Sequence, residues 1–181
     1  VPKWIFDRGF SASTLSRWGC GFDSGTGSLA IPIHDENNRV VGWSKRQPEG
    51  QFPKYLNSPG LEKSRILFGL HLLDVTQNLF CLSDGPLDSL WLDQNGFSSI
   101  SLLGVFLSKS QEKLLARIPI REIVLCLDND VAGKTAQKEI YRRLMKYFVV
   151  TQIELPSGAK DVQDVRDVQL LSTIIKNRTI F

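Results

Sequence analysis

From Leu79 onward the chain alternates short apolar runs with amphipathic stretches of helical length, and this alternation limits its fold more than any other feature. Leu79 to Ser83, Ile100 to Leu103, Ile123 to Leu127 and Thr151 to Leu155 read as strands, each apolar but too short for a helix. Between them, Leu87, Leu90 and Trp91 recur at helical spacing just after Pro86, a residue suited to a first helical turn. Ser108 with Gln111 forms a capping box ahead of Leu114 and Leu115. Ala132, Ala136, Ile140, Leu144 and Tyr147 predict the apolar face of a third helix, with Lys134, Lys138, Arg142 and Lys146 on another face. Strand and helix in alternation imply βαβ units with right-handed crossovers. The expected fold is α/β, a mostly parallel four-stranded sheet flanked by helices over residues 76–165, with 166–181 starting a C-terminal helical segment.

Residues 1–75 have a different texture, with aromatic residues, Gly-containing turns and short strand candidates, and read as a smaller α+β unit. Ser11 or Ser13 caps a short helix running to Trp18, while Ser28 to Ile33 and Val40 to Trp43 alternate as strands around the polar turn Asp35-Glu36-Asn37-Asn38. Trp4, Phe6, Phe10 and Trp18 read as core or intersubdomain packing residues. The second hairpin strand runs into a basic stretch containing Lys45, Arg46, Lys54, Lys63 and Arg65, a local positive patch that suits a polyanion although the whole chain carries only +3.

The three cysteines, Cys20, Cys81 and Cys126, are scattered without CxxC spacing, which argues against a cysteine zinc site and favours a reducing, cytoplasmic setting. No apolar run approaches the roughly 20 residues that span a bilayer, and the N-terminus lacks a signal-peptide layout, so no membrane partner is expected. The chain opens on Val1-Pro2-Lys3 without Met, as an excised fragment would. His34, beside the hairpin turn, and His71, on an expected amphipathic helix, are poor metal or catalytic candidates.

In a parallel sheet of this kind ligands collect at the carboxyl ends of the strands. There the sequence places Asp84 after the first strand, Asp128 and Asp130 after the third, and Asp161 and Asp164 after the fourth. Any one could be an ordinary helix cap. Together they repel unless a cation neutralises them, and oxygen-only donors suit a hard divalent ion such as Mg²⁺ or Mn²⁺, which keeps positions open for water and phosphate.

Ser83-Asp84-Gly85-Pro86-Leu87-Asp88 and Leu127-Asp128-Asn129-Asp130-Val131-Ala132-Gly133 resemble the two signatures of the TOPRIM domain, shared by primases, topoisomerases and some nucleases. That resemblance implies that Asp128 and Asp130 bind Mg²⁺. It also gives Asp84 a catalytic or ligand role, although the family normally has Glu there, one methylene longer. Pro53-Lys54-Tyr55-Leu56-Asn57-Ser58-Pro59, followed by Lys63, Arg65 and Leu67-Phe68-Gly69-Leu70, resembles the run that precedes TOPRIM in DnaG-type bacterial and phage primases. Arg8-Gly9, Ile31-Pro32-Ile33, Val40-Val41-Gly42-Trp43 with Arg46, and Gly158-Ala159-Lys160-Asp161 continue the likeness in order over nearly the whole chain.

The resemblance implies a primase catalytic core making RNA primers from NTPs on single-stranded DNA, with catalytic residues Asp84, Asp128 and Asp130 and metal ligands Asp84, Asp128, Asp130 and Asp161. Arg46, Lys54, Tyr55, Asn57, Lys63 and Arg65 are the expected contacts to template and triphosphate, by phosphate neutralisation, base stacking and amide hydrogen bonding. Asp88, one helical turn after Asp84, is expected to support the ligands from behind. A replicative helicase would be met through regions outside this chain. Two alternatives remain at this point: a catalytically impaired TOPRIM module that still binds single strands, because of Asp84, and a TOPRIM nuclease.

Overall fold

The computed structural model describes residues 2–181, which divide between Glu62 and Lys63 into two compact units. The sequence reading places the change near residue 75. The earlier division has a packing reason. Phe68 bridges to Ser101, and the buried Gln111 side chain donates to the Lys63 and Ile66 carbonyls at 3.1 and 2.8 Å, so residues 63–75 belong with the second unit.

The first unit begins with two short helices, α1 (Lys3–Asp7) and α2 (Ala12–Arg17). Ser11 caps α2 by accepting from the Thr14 amide at 3.1 Å. An antiparallel sheet follows in the order β1 (Gly21–Asp23), β2 (Ser28–His34), β3 (Val40–Arg46), β4 (Tyr55–Asn57). The β2–β3 turn is set by Asp35, whose Oδ1 accepts from the Asn37 and Arg39 amides at 2.9 Å each, while Asn38 adopts φ 61°. Alternate β2 residues Leu29, Ile31 and Ile33 are fully buried and, with Ile5, Leu15 and Trp18, supply buried apolar residues of this unit. Phe10 is buried too, whereas Phe6 is exposed and stands outside this core.

The second unit opens with 3₁₀ turns at Lys63–Arg65 and Leu70–Leu72, so His71 lies on a turn and not on the amphipathic helix expected. Its core is β5 (Leu79–Ser83), α3 (Pro86–Gln94), β6 (Ser99–Ser101), α4 (Lys109–Leu115), β7 (Glu122–Leu125), α5 (Val131–Leu144) and β8 (Val149–Gln152). α6 (Val168–Lys176) and β9 (Thr179–Ile180) complete it. The sheet order is β6-β5-β7-β8-β9, parallel except for β9. The four expected parallel strands are therefore present, and the C-terminal segment adds a fifth, antiparallel strand beyond its helix. Arg178 secures that strand's approach: its Nη2 lies 2.8 Å from Glu122 Oε2, its Nε donates to Oε1 of the same carboxylate, and Thr151 Oγ1 donates to Oε1 at 2.8 Å.

One sheet face packs Phe80, Leu82, Ile123, Leu125 and Val150 against Leu115 of α4 and Ala136, Ile140 and Leu144 of α5. On α5 the buried series runs through Gly133, not Ala132, and beyond the helix Phe148 is buried where Tyr147 is exposed. Three strands, β6, β7 and β8, end earlier than their apolar runs suggest. β6 stops at Ser101 because Leu103 turns to φ 57°, and β8 stops at Gln152, opposite the last residue of β7, Leu125. The Ser108–Gln111 capping box forms as expected.

Candidate metal centre

The chain passes from β5 to β6 on one side of the sheet and from β7 to β8 on the other. The crevice between the carboxyl ends of β5 and β7 is thus the point where the winding reverses, the place where open α/β sheets bind ligands. Asp84 leaves β5 there and Asp128 follows β7. α3 starts at Pro86 and brings Asp88 back under the same edge one turn later. Asp84, Asp88 and Asp128 each offer a carboxylate oxygen, and these three atoms lie within 4.8 Å of one another.

Backbone bonds hold the first of these residues. The Asp84 carbonyl accepts from Ser101 Oγ at 3.0 Å and from the Gly104 amide at 2.9 Å. Burial, reinforced by the charge on Asp128, pushes the Asp84 carboxyl up to about 6. Asp88 is only 7% exposed, and its Oδ1 accepts from Gln163 Nε2 at 2.7 Å. Burial drives its carboxyl well above the ordinary range, with the charges of Asp84 and Asp161 acting in the same direction. Three carboxylates this close resist common ionisation, which is the electrostatic condition a divalent cation relieves.

Asp130 and Asp161 sit at the same edge but lie outside this triplet of atoms, and both act as caps. Asp130 Oδ1 accepts from the Gly133 amide at 2.8 Å and starts α5. Asp161 Oδ1 accepts from the Gln163 and Asp164 amides at 2.9 and 3.1 Å, starting a 3₁₀ turn over Val162–Asp164. Burial raises the Asp161 carboxyl, as do the charges on Asp164 and Asp128. Each keeps a second carboxylate oxygen, so a cap and a metal bond are compatible. The structure nevertheless gathers Asp88 with Asp84 and Asp128 more tightly than the capping pair.

Two glycines are part of this geometry. A Cβ on Gly133 would stand 2.0 Å from the Asp128 carbonyl oxygen, so the first turn of α5 approaches the Asp128 backbone only because no side chain intervenes. A Cβ on Gly85 would meet Asp88 Oδ2 at 2.7 Å. Sequence reasoning did not single out Gln163, which lies 75 positions from its acceptor Asp88 and carries no local signal. Lys160, part of the Gly158-Ala159-Lys160-Asp161 motif, places its Nζ 3.4 Å from Asp128 Oδ2, and that charge pushes the ammonium's pKa up.

The expected basic contacts fall in both units. In the first, Arg46 pairs across the sheet with Tyr55, its guanidinium carbon 4.9 Å from the ring centroid. Lys54 and Asn57 are exposed. Lys45 is committed locally, with Nζ 2.6 Å from Asp23 Oδ2 and 4.5 Å from the Trp43 ring centroid. In the second, Lys63 and Arg65 project from an exposed 3₁₀ turn in the same compact unit as the carboxylates. A cleft of about 590 Å³ lined by Asn129, Lys134, Lys138, Gln152 and Phe181 lies beside the ends of β7 and β8, so part of the basic face of α5 borders a concavity. Among the described residues no helix is long and apolar enough to cross a membrane.

Two family models match the chain: "Toprim-like" over residues 81–166 and "DNA primase catalytic core, N-terminal domain" over 26–74. A DNA primase of Legionella pneumophila is 37% identical over 123 residues, covering 64% of this chain and 21% of the relative. An uncharacterized protein of Mycoplasma pneumoniae is 32% identical over 167 residues, covering 88% of this chain and 78% of the relative. The solved DnaG primase catalytic domain bound to ssDNA superposes with a TM-score of 0.81 at 21% identity, over 98% of this chain and 71% of that one, a likeness of fold. The chain spans about a fifth of the length of the first curated primases it matches, 21% in each case.

Proposed function

The chain belongs to the DnaG-type primase family and carries its TOPRIM domain, and from that premise we propose that it is the catalytic core of a metal-dependent nucleotidyltransferase making RNA primers from NTPs on single-stranded DNA. The observation that carries the reading is the Asp84, Asp88 and Asp128 triplet, with carboxylate oxygens within 4.8 Å at the switch point of the sheet. All-oxygen donors suit Mg²⁺ or Mn²⁺. Asp84, Asp128 and Asp130 would hold such an ion, with Asp161 and Asp88 able to contribute, and it would supply Lewis acidity for in-line displacement at a nucleoside triphosphate. The chain's own part is to hold these carboxylates in place: the Asp84 backbone by Ser101 and Gly104, Asp88 by Gln163, and Asp128 by the close approach of Gly133.

Lys63 and Arg65 neutralise triphosphate or template phosphates, while Arg46, Lys54, Tyr55 and Asn57 contact the template strand. The ssDNA named with the solved DnaG structure supports a single-stranded partner for the same fold. The test is primer synthesis from NTPs on single-stranded DNA with Mg²⁺ or Mn²⁺, comparing the chain with Asp128→Ala and Asp84→Glu. Product that falls at least about 100-fold in Asp128→Ala is expected, by analogy with the loss of an electrostatic group from an active site.

A second reading, a single-strand-binding module with impaired chemistry, is favoured by one observation, the shorter Asp84 at the position where the family has Glu. It predicts single-strand binding without product under either metal, with Asp84→Glu restoring synthesis. Cutting of labelled DNA instead of primer formation would sink both readings in favour of a nuclease.

A further inference from the structure

We infer that Lys160 is a built-in counterion for Asp128, exchanged for the divalent cation when it binds and then placed to contact the triphosphate. The inference rests on the metal-site reading above and adds to it a residue with a role in both the empty and the loaded site. The backbone of Lys160 is fixed on both sides. Its amide donates to Asp164 Oδ2 at 2.7 Å, and its carbonyl accepts at 2.7 Å from the amide of Asn129, the residue between Asp128 and Asp130. The Asn129 side chain adds a longer contact to the Ala159 carbonyl at 3.4 Å. The root of the lysine side chain is thus tied to the Asp128-Asn129-Asp130 segment, whatever the ammonium does.

The ammonium is held much less firmly. Its distance of 3.4 Å to Asp128 Oδ2 exceeds the usual 2.7–2.9 Å of a charge-assisted hydrogen bond, and the side chain is 51% exposed. It therefore lowers the repulsion among the carboxylates without locking any of them. A divalent cation taking Asp128 Oδ2 would face this positive charge a few ångströms away, and the like charges favour release of the ammonium toward solvent. A lysine on a flexible four-carbon stem, rooted beside the cluster, then meets the phosphates that such a cation draws in, as a point charge on a polyanion.

The two halves predict opposite effects from one substitution. In the 181-residue chain, Lys160→Met removes a competitor for Asp128, so Mn²⁺ titrated alone and followed by electron paramagnetic resonance binds about threefold to fivefold tighter, the range of an exposed ion pair. ATP binding at saturating Mg²⁺, followed by calorimetry, weakens about tenfold or more, as loss of a charged phosphate contact requires. Lys160→Arg keeps the charge and returns both affinities toward those of the parent chain. A merely structural lysine would not tighten the metal. Unchanged Mn²⁺ affinity, or unchanged ATP affinity, in Lys160→Met overturns the exchange even though the metal site stands. Absence of Mn²⁺ binding by the parent chain overturns the site reading and the exchange with it.

Discussion

Gly133→Ala is the most direct perturbation of the proposed centre, because it adds one methyl group at a fixed place. The new Cβ would lie 2.0 Å from the Asp128 carbonyl oxygen, 3.0 Å from its carbon and 3.4 Å from its Cα. Ordinary contact begins near 3.4 Å, so the first turn of α5 and the Asp128 backbone must separate by more than an ångström. Neither can yield by rotating a side chain, since all three opposing atoms are backbone.

The separation also pulls the Gly133 amide from Asp130 Oδ1, now 2.8 Å away. Overpacking of about 1–3 kcal/mol and loss of a cap at about 1 kcal/mol together predict destabilisation of about 2–4 kcal/mol. An ångström-scale displacement of a ligand predicts a loss in metal affinity on the order of 100-fold. Urea unfolding and Mn²⁺ titration measure the two effects. Gly104→Ala is the control, because a Cβ there meets no heavy atom within 4 Å, and its stability should change by less than about 0.5 kcal/mol. Parent-like stability together with Mn²⁺ affinity within twofold of the parent in Gly133→Ala would refute the close-approach argument.

Three further outcomes are expected. Arg178→Ala should destabilise the second unit by about 1–3 kcal/mol at pH 7, less than for a fully buried pair because the groups are partly solvated, with Arg178 23% and Glu122 17% exposed. Arg178 hydrogen bonding holds the Glu122 carboxyl below its ordinary 4.5, so this contribution is present above about pH 4.5 and is lost as pH falls through the depressed value. Urea unfolding that shows the same difference between parent and variant at pH 7 and at pH 3 would contradict it. Gln163→Leu removes the amide that donates to buried Asp88 and should cost about 1–3 kcal/mol by thermal or urea unfolding, with Mn²⁺ affinity also falling. Mg²⁺ or Mn²⁺ at about 100 times its dissociation constant should stabilise the chain by about 2.7 kcal/mol, reversed by EDTA. A melting shift that persists in Asp128→Asn would place the ion elsewhere.

The alternation after Leu79 was enough to read the four parallel strands and their helices, since short apolar runs and 3.6-residue periodicity are local properties. Its errors lie where long-range pairing decides. The run from Ile100 to Leu103 looks uniform in sequence, but the strand stops at Ser101 because Leu103 adopts φ 57°. The tail after 166 shows its helix, whereas β9 depends on partner β8 and on the Arg178–Glu122 pair across 56 positions.

The chemistry of the site divides in the same way. By itself the sequence determined that aspartates follow the first, third and fourth strands, that Ser108 and Gln111 cap a helix, and that a basic run precedes the sheet, because each depends on neighbours a few residues away. Only the tertiary structure decided which aspartates meet. The order β6-β5-β7-β8 sets β5 beside β7, so Asp84 joins Asp128 across 44 positions, and the first turn of α3 brings Asp88 in beside them, while Asp130 and Asp161 at the same edge cap the turns that follow them. Strand order is fixed by which apolar faces bury one another and how the crossovers wind, and no local pattern in the chain encodes that choice.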